Sequence, residues 1–229
     1  MEHLMRLELK KVHFKNYILL SVMAIAAAMF FVFVSLHDTS TLMKTYEDTF
    51  RTLEMLFASE FIVFFAVLNG ALVISEYNNK TILLMFTYPV DKKKVIAAKL
   101  LVNTSFIAVS MLVGYAAGGL FIVWFDRKSD LLSGEFSTAL LTGADGWILR
   151  AFVTTVVFCC LGLWTFAAGM VKKSVTVTIV SAIFCVFLRQ LVVASSAETR
   201  ESIGVMLAAL AVTAALLWYT FAKKITELD

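Results

Sequence analysis

The sequence predicts an all-α membrane protein with six transmembrane helices. Hydrophobic residues make up 60% of the 229 residues and charged residues 16%, and the mean hydropathy is +0.86. A soluble chain of this length needs a larger charged surface than this composition provides. The apolar runs are continuous rather than alternating, which favours helices over a β-barrel, since a helix satisfies its backbone hydrogen bonds internally.

Six apolar runs are long enough to cross the hydrocarbon core, which takes about 20 helical residues. The predicted spans are residues 16–36, 55–75, 100–125, 151–171, 174–197 and 202–222. With six spans both termini lie on one side, and most of the Lys and Arg residues fall on that side. Because basic residues concentrate on the cytoplasmic face, we expect both termini to be cytoplasmic in a bacterial plasma membrane. Residues 1–229 are predicted to form one transmembrane domain.

Apolar residues also recur at helical spacing outside the predicted spans. One series precedes the second span: Leu42, Tyr46, Phe50 and Leu53. It predicts that the second helix extends beyond the membrane. Another series, Leu132, Phe136 and Leu140, predicts a short interfacial helix within residues 126–146.

No residue pattern in the chain predicts an enzyme. The three histidines are His3, His13 and His37, all outside the spans, and no intramembrane protease motif or phosphate-binding loop is present. The three cysteines have no metal-ligand or redox spacing and are interpreted as packing residues: Cys159, Cys160 and Cys185. We therefore predict no catalytic residues, no metal site and no nucleic-acid partner.

Two charged residues interrupt the spans, Glu60 in the second and Arg189 in the fifth. A charge at the centre of a bilayer costs at least ~2.5–3.5 kcal/mol, and less near the interface. The two residues either form a pair or line an outward vestibule, or each extends separately to the outer interface.

Two features of the spans concern helix packing. The second helix is rich in phenylalanine, and these rings either line an apolar cavity between two protomers or face lipid: Phe57, Phe61, Phe64 and Phe65. Gly114 and Gly118 form a G-x-x-x-G motif, which allows close helix approach and supports packing in general.

The cytoplasmic link between spans two and three, residues 76–99, carries a short apolar helix. Asn78 or Asn79 is suited to cap it, and Pro89, the only proline, ends it. Its apolar residues lie between two charged clusters: Ile82, Leu83, Met85 and Phe86. The helix either docks into a groove on a partner protein or lies on lipid. After it, Asp91 is placed to cap a helix that runs through Lys92–Lys94 into the membrane.

The same link resembles the cytoplasmic loop of type-2 ABC transporter permeases. The similarity rests on Glu76-Tyr77, Asn79-Lys80-Thr81, Thr87-Tyr88-Pro89-Val90, Lys92-Lys93-Lys94-Val95 and Lys99-Leu100. Two positions depart from the family pattern, Lys80 where glycine is common and Asp91 where serine is common. The six-span layout and the basic N-terminal segment extend the resemblance over the whole chain.

The resemblance implies a non-catalytic permease that dimerises, as a homodimer or heterodimer, and sits on two ATPase subunits in the bilayer. ATP and Mg²⁺ would be bound by the ATPase and no cofactor by this chain. Residues 1–15 would form an elbow helix, and Asn79–Tyr88 the coupling helix. The coupling residues would be Glu76, Asn79, Lys80, Thr81, Leu83, Leu84, Phe86, Thr87, Tyr88 and Pro89.

The sequence predicts the substrate less directly than it predicts the fold. Compact permeases of this kind resemble exporters of bacterial peptide toxins, such as phenol-soluble modulins, and of lantibiotic-immunity systems, which implies export of amphipathic or hydrophobic peptides. The alternatives are efflux of drugs or lipid-like small molecules, an ATPase-independent transporter, and a membrane immunity or sensor subunit.

Overall fold

The computed structural model describes residues 14–37, 45–75, 92–129 and 146–195, together with Ala215. Over these residues the chain forms five helices and no β-strand, so the all-α prediction is confirmed. They are α1 (Phe14–His37), α2 (Tyr46–Asn69), α3 (Lys92–Ser129), α4 (Trp147–Lys172) and α5 (Val175–Ser195). α2 passes directly into a five-residue π-helical segment, Gly70–Ile74.

Four of these helices are long and apolar enough to cross a membrane. The qualifying stretches are Lys15–Leu36, Tyr46–Ile74, Val95–Arg127 and Trp147–Lys172, which correspond to the first four predicted spans. α5 coincides with the fifth predicted span, although its apolar stretch, Val175–Gln190, is shorter. The sixth span, residues 1–13 of the elbow helix and the interfacial helix predicted between α3 and α4 lie outside the described residues.

The second helix begins before its predicted span, as the apolar series predicted, and whether this part lies outside the membrane stays a prediction. α2 begins at Tyr46, nine positions before the predicted span. Tyr46, Phe50 and Leu53 are all buried, as their common helix face requires, whereas Leu42 lies outside the described residues. α3 likewise begins at Lys92, as the sequence predicted.

The described helices belong to two compact units. The described residues of unit 1 are 62–75, 92–107 and 157–195, and those of unit 2 are 14–37, 45–61, 108–129 and 146–156. α2, α3 and α4 each contribute residues to both units.

The glycine motif of α3 packs within unit 2. A Cβ on Gly114 would lie 3.3 Å from the Ile25 side chain of α1. A Cβ on Gly118 would overlap the Leu53 side chain and lie 3.1 Å from the Phe57 ring. The motif therefore brings α3 close to α1 and α2 of its own chain.

The phenylalanines of α2 do not face lipid or a cavity between protomers, so both interpretations of these rings were wrong. Phe57, Phe61, Phe64 and Phe65 are at most 7% exposed. Their rings fill space inside the chain: Phe57 meets Tyr115 edge-on at 5.4 Å in unit 2, and Phe64 meets Phe106 at 6.4 Å in unit 1. The large apolar side chains left for the bilayer to cover lie elsewhere, and include Leu19, Phe30, Leu120, Trp124, Val180 and Phe187.

Candidate functional site

The candidate site is the base of the link between α2 and α3. The predicted coupling residues, Glu76 to Pro89, lie outside the described residues, so their role stays a prediction. The structure describes the two helix ends that flank them, Ser75 at the end of α2 and the α3 helix from Lys92 onward. Both ends belong to unit 1.

The last turn of α2 departs from ordinary helix geometry. The Ser75 N–H donates to the Gly70 carbonyl, an i→i+5 bond in place of the usual i→i+4 bond. The wider turn fits against the start of α5, since a Cβ on Gly70 would lie only 2.7 Å from Cγ1 of Val175. Glycine is therefore required for this close approach. π-Helical turns of this kind occur often at functional sites.

A buried polar cluster ties this turn to α3. Nδ2 of Asn103 donates to Oδ1 of Asn69 at 3.0 Å, and Nζ of Lys99 donates to the Leu72 carbonyl at 3.4 Å. Asn69 and Asn103 are buried and Lys99 is only 4% exposed. Lys99 and Asn103 are four residues apart, which places both on one face of α3. The cluster thus joins side chains on both helices that flank the link.

One donor of the cluster is not satisfied. Nδ2 of Asn69 is buried and finds no hydrogen-bond partner among the described residues. A buried donor without an acceptor costs about 1–3 kcal/mol. The arrangement therefore carries a penalty at Asn69, immediately before the π-helical segment.

Buried apolar side chains form a cluster on the same stretches of α3 and the π-helical segment. This cluster in unit 1 comprises Val73, Ile74, Ile96, Leu100, Phe166 and Met170. Leu72, Leu163 and Val175 pack against it. Next to apolar side chains, the polar groups gain stability from the hydrogen bonds that they make within the protein.

The turn between α4 and α5 closes this region. The Lys173 N–H donates to the Met170 carbonyl and the Ser174 N–H to the Gly169 carbonyl, which is the Schellman pattern. Lys173 has a positive φ of 50°, in a position where glycine is usual. A Cβ on Gly169 would overlap Thr178 of α5, so the end of α4 and the beginning of α5 are almost in contact.

The two intramembrane charges, Glu60 and Arg189, belong to different units. Glu60, in unit 2, is partly buried, and its Oε2 atom has no hydrogen-bond partner among the described residues. Arg189, in unit 1, places its guanidinium carbon 4.9 Å from the centre of the Phe158 ring, a cation–π geometry. An ion pair between Glu60 and Arg189, or a shared vestibule, stays a prediction.

Unit 2 contains a second group of polar contacts that the sequence did not reveal. Tyr46 donates a short hydrogen bond to Asp126, and Thr154 donates to Oε1 of Glu54 at 2.8 Å. Trp147 donates its ring N–H to the Tyr115 carbonyl at 3.3 Å. These bonds join α2, α3 and α4 within unit 2, and they place polar groups between helices rather than in an open site.

Sequence reasoning also missed the polar cluster of unit 1. Asn69 and Asn103 are uncharged and so do not stand out within the spans, and Lys99 falls in the cytoplasmic link by sequence. The available signal was the i, i+4 spacing of Lys99 and Asn103 on a helix entering the membrane, combined with an asparagine near the end of the preceding span.

Comparison with known proteins places this architecture in a family. The sequence model described as ABC-2 family transporter protein matches residues 4–189, and the chain belongs to that family. It is therefore a multi-pass membrane permease of the ABC-2 type, a transmembrane subunit that is generally non-catalytic. Membership implies that it works in the lipid bilayer with an ABC ATPase.

A relative of similar length comes from Bacillus subtilis. The chain is 31% identical over 196 residues to the uncharacterized protein YcbO of Bacillus subtilis. The match covers 81% of this chain and 82% of the relative. No solved structure matches the chain.

Proposed function

We propose that this permease is the membrane subunit of an ATP-driven exporter that moves amphipathic or hydrophobic peptides out of the cell. Two protomers would associate with two copies of an ABC ATPase, which binds ATP and Mg²⁺. Both termini would be cytoplasmic, and Asn79–Tyr88 would be the coupling helix that docks on the ATPase.

The observation that carries this proposal is the polar tie at the base of residues 76–91. The Asn69–Asn103 and Lys99–Leu72 hydrogen bonds link the end of α2 to the start of α3. A movement of residues 76–91, which connect the two helices, would therefore move both helices together. Such a rigid base is what a coupling helix needs if ATP binding is to bias the packing of the spans.

The cargo assignment is supported by how the polar groups of unit 1 are used. In the described part of unit 1, the side chains of Asn103 and Lys99 bond to α2 next to a cluster of apolar side chains. Such a core offers little to a strongly hydrated ion or sugar. An amphipathic peptide keeps its apolar face against helices or lipid and needs fewer polar partners.

The first experiment tests the coupling helix by co-expressing the permease with its ATPase. We expect Leu83→Asp and Phe86→Asp to abolish co-purification of the ATPase. The new carboxylate would have to lose its water to enter the groove of the ATPase. Phe86→Leu is the matched control and should retain the complex. Stable aspartate variants that still co-purify and pump would refute the proposal.

The second experiment tests the cargo in inverted membrane vesicles that contain both subunits. ATP should drive uptake of a fluorescent amphipathic α-helical peptide, and the Phe86→Asp variant should show none. Uptake of an apolar dye without the peptide would indicate small-molecule efflux instead. Uptake that needs no ATPase would indicate an independent transporter, and a stable complex without any uptake would indicate an immunity or sensor role.

A further inference from the structure

We infer that the π-helical segment Gly70–Ile74 is a register switch, which changes between its i→i+5 hydrogen bonding (the wide register) and ordinary α-helical i→i+4 bonding. Lys99 is the positioning residue that holds the segment in the wide register. The inference rests on the proposed function, because the switch would pass movement between the coupling segment and the spans. It assigns a role to a buried lysine that the coupling motif alone does not explain.

The position of the segment is the first argument. Among the described helices it is the one π-helical segment, and it ends next to residues 76–91. A helix advances by about 100° and 1.5 Å per residue. If the turn returned to the ordinary register, the helix beyond it would rotate and shift by up to that amount. A small backbone change here would thus produce a large reorientation of the coupling segment.

The Lys99 contact is the second argument. Nζ of Lys99 donates to the carbonyl of Leu72, which lies inside the π-helical segment. The ammonium has left water almost entirely and needs oxygen acceptors to stay charged in this apolar region. A rotation of the turn would carry the Leu72 carbonyl away from Nζ, so the Lys99 contact favours the wide turn.

Asn69 and Gly70 supply the third argument, that the described register carries an energetic cost. The buried Nδ2 of Asn69 lacks a partner among the described residues, so the present register leaves this donor unsatisfied. Gly70 lies so close to Val175 that a Cβ would come within 2.7 Å of it, so the wide turn is tightly packed. A local penalty that the surrounding packing maintains is typical of segments that change between two arrangements.

The functional test compares Lys99→Met with Lys99→Arg in the complex with the ATPase. We expect the Lys99→Met permease to co-purify with the ATPase, and the complex to hydrolyse ATP. Transport should fall about tenfold or more, because one of the two registers loses a charge-assisted hydrogen bond. Lys99→Arg keeps the charge and should restore most of the transport.

The outcomes separate this inference from the proposed function. Unchanged transport in Lys99→Met overturns the switch. Loss of the complex in Lys99→Met also overturns it, because Lys99 would then serve assembly alone. If the wild-type chain itself does not bind an ATPase or transport, the proposed function fails instead.

A spectroscopic test reports on the register directly. A nitroxide is attached at Ala71, an exposed position of the segment, after replacing Cys159, Cys160 and Cys185 by alanine. Trapping the complex with ADP and vanadate should immobilise this label as the turn rotates. A label at Val180, exposed on α5, is the control and should not respond. Identical Ala71 spectra before and after trapping would contradict the switch.

Discussion

Several described helical glycines face an aromatic ring. Among them, Gly162 should be the one at which substitution by alanine destabilises the permease most. Its Cβ would lie 2.6, 2.7 and 2.9 Å from three ring carbons of Phe65. Carbon atoms normally pack at about 3.5–4.0 Å, so the overlap is about 1 Å. Phe65 is 1% exposed and has no open side to move into. Overpacking of this kind costs about 1–3 kcal/mol.

The matched control is Gly114→Ala, whose Cβ would meet the flexible Ile25 side chain at 3.3 Å. Both variants gain the same helix propensity, up to about 1 kcal/mol, so their difference isolates the steric cost. The assay is unfolding in mixed micelles titrated with sodium dodecyl sulfate. Phe65→Leu should partly rescue Gly162→Ala by making room. Equal stability of the two alanine variants would refute the packing described for α4 against α2.

Three further predictions concern single contacts. Asn103→Leu should cost about 1–3 kcal/mol by leaving Asn69 unpaired, and the double variant with Asn69→Leu should be the more stable; additive losses in the same unfolding assay would contradict the pairing. Lys173→Gly should raise stability by about 1 kcal/mol because it relieves a left-handed backbone, whereas Lys172→Gly should lower it; equal effects would exclude the Schellman turn. Thr154→Val should cost about 1–2 kcal/mol by removing a hydrogen bond to an α2 carboxylate, and Thr154→Ser should retain most of the stability.

The positions of the helices followed from the sequence, since insertion into a bilayer depends on local apolar runs. Five predicted spans coincide with described helices, and the start of α3 at Lys92 agrees with the prediction. Which face of each helix packs inside the protein and which faces lipid could not be predicted from the sequence. Lipid and protein interior are both apolar, so hydropathy does not distinguish a ring that faces lipid from one that is packed inside. Phe57 and Phe65 were misassigned for this reason.

The candidate site was predictable only in outline. The sequence indicated the link between spans two and three as the coupling region, but the π-helical turn depends on contacts from elsewhere in the chain. Gly70 lies against Val175, and Lys99 donates to the Leu72 carbonyl. Neither contact leaves a local pattern, because both join residues far apart in sequence.

Lys99 illustrates how one residue can satisfy two patterns at once. By sequence it belongs to a basic link, where a lysine is a topology signal that holds the link in the cytoplasm. In the structure it is 4% exposed and bonds to the Leu72 carbonyl on α2. A topology signal needs only charge near the membrane, which Lys92, Lys93 and Lys94 already supply. Burial of a fourth charge costs free energy and adds little to orientation, so the contact with the π-helical turn is the better physical reason for a lysine at this position.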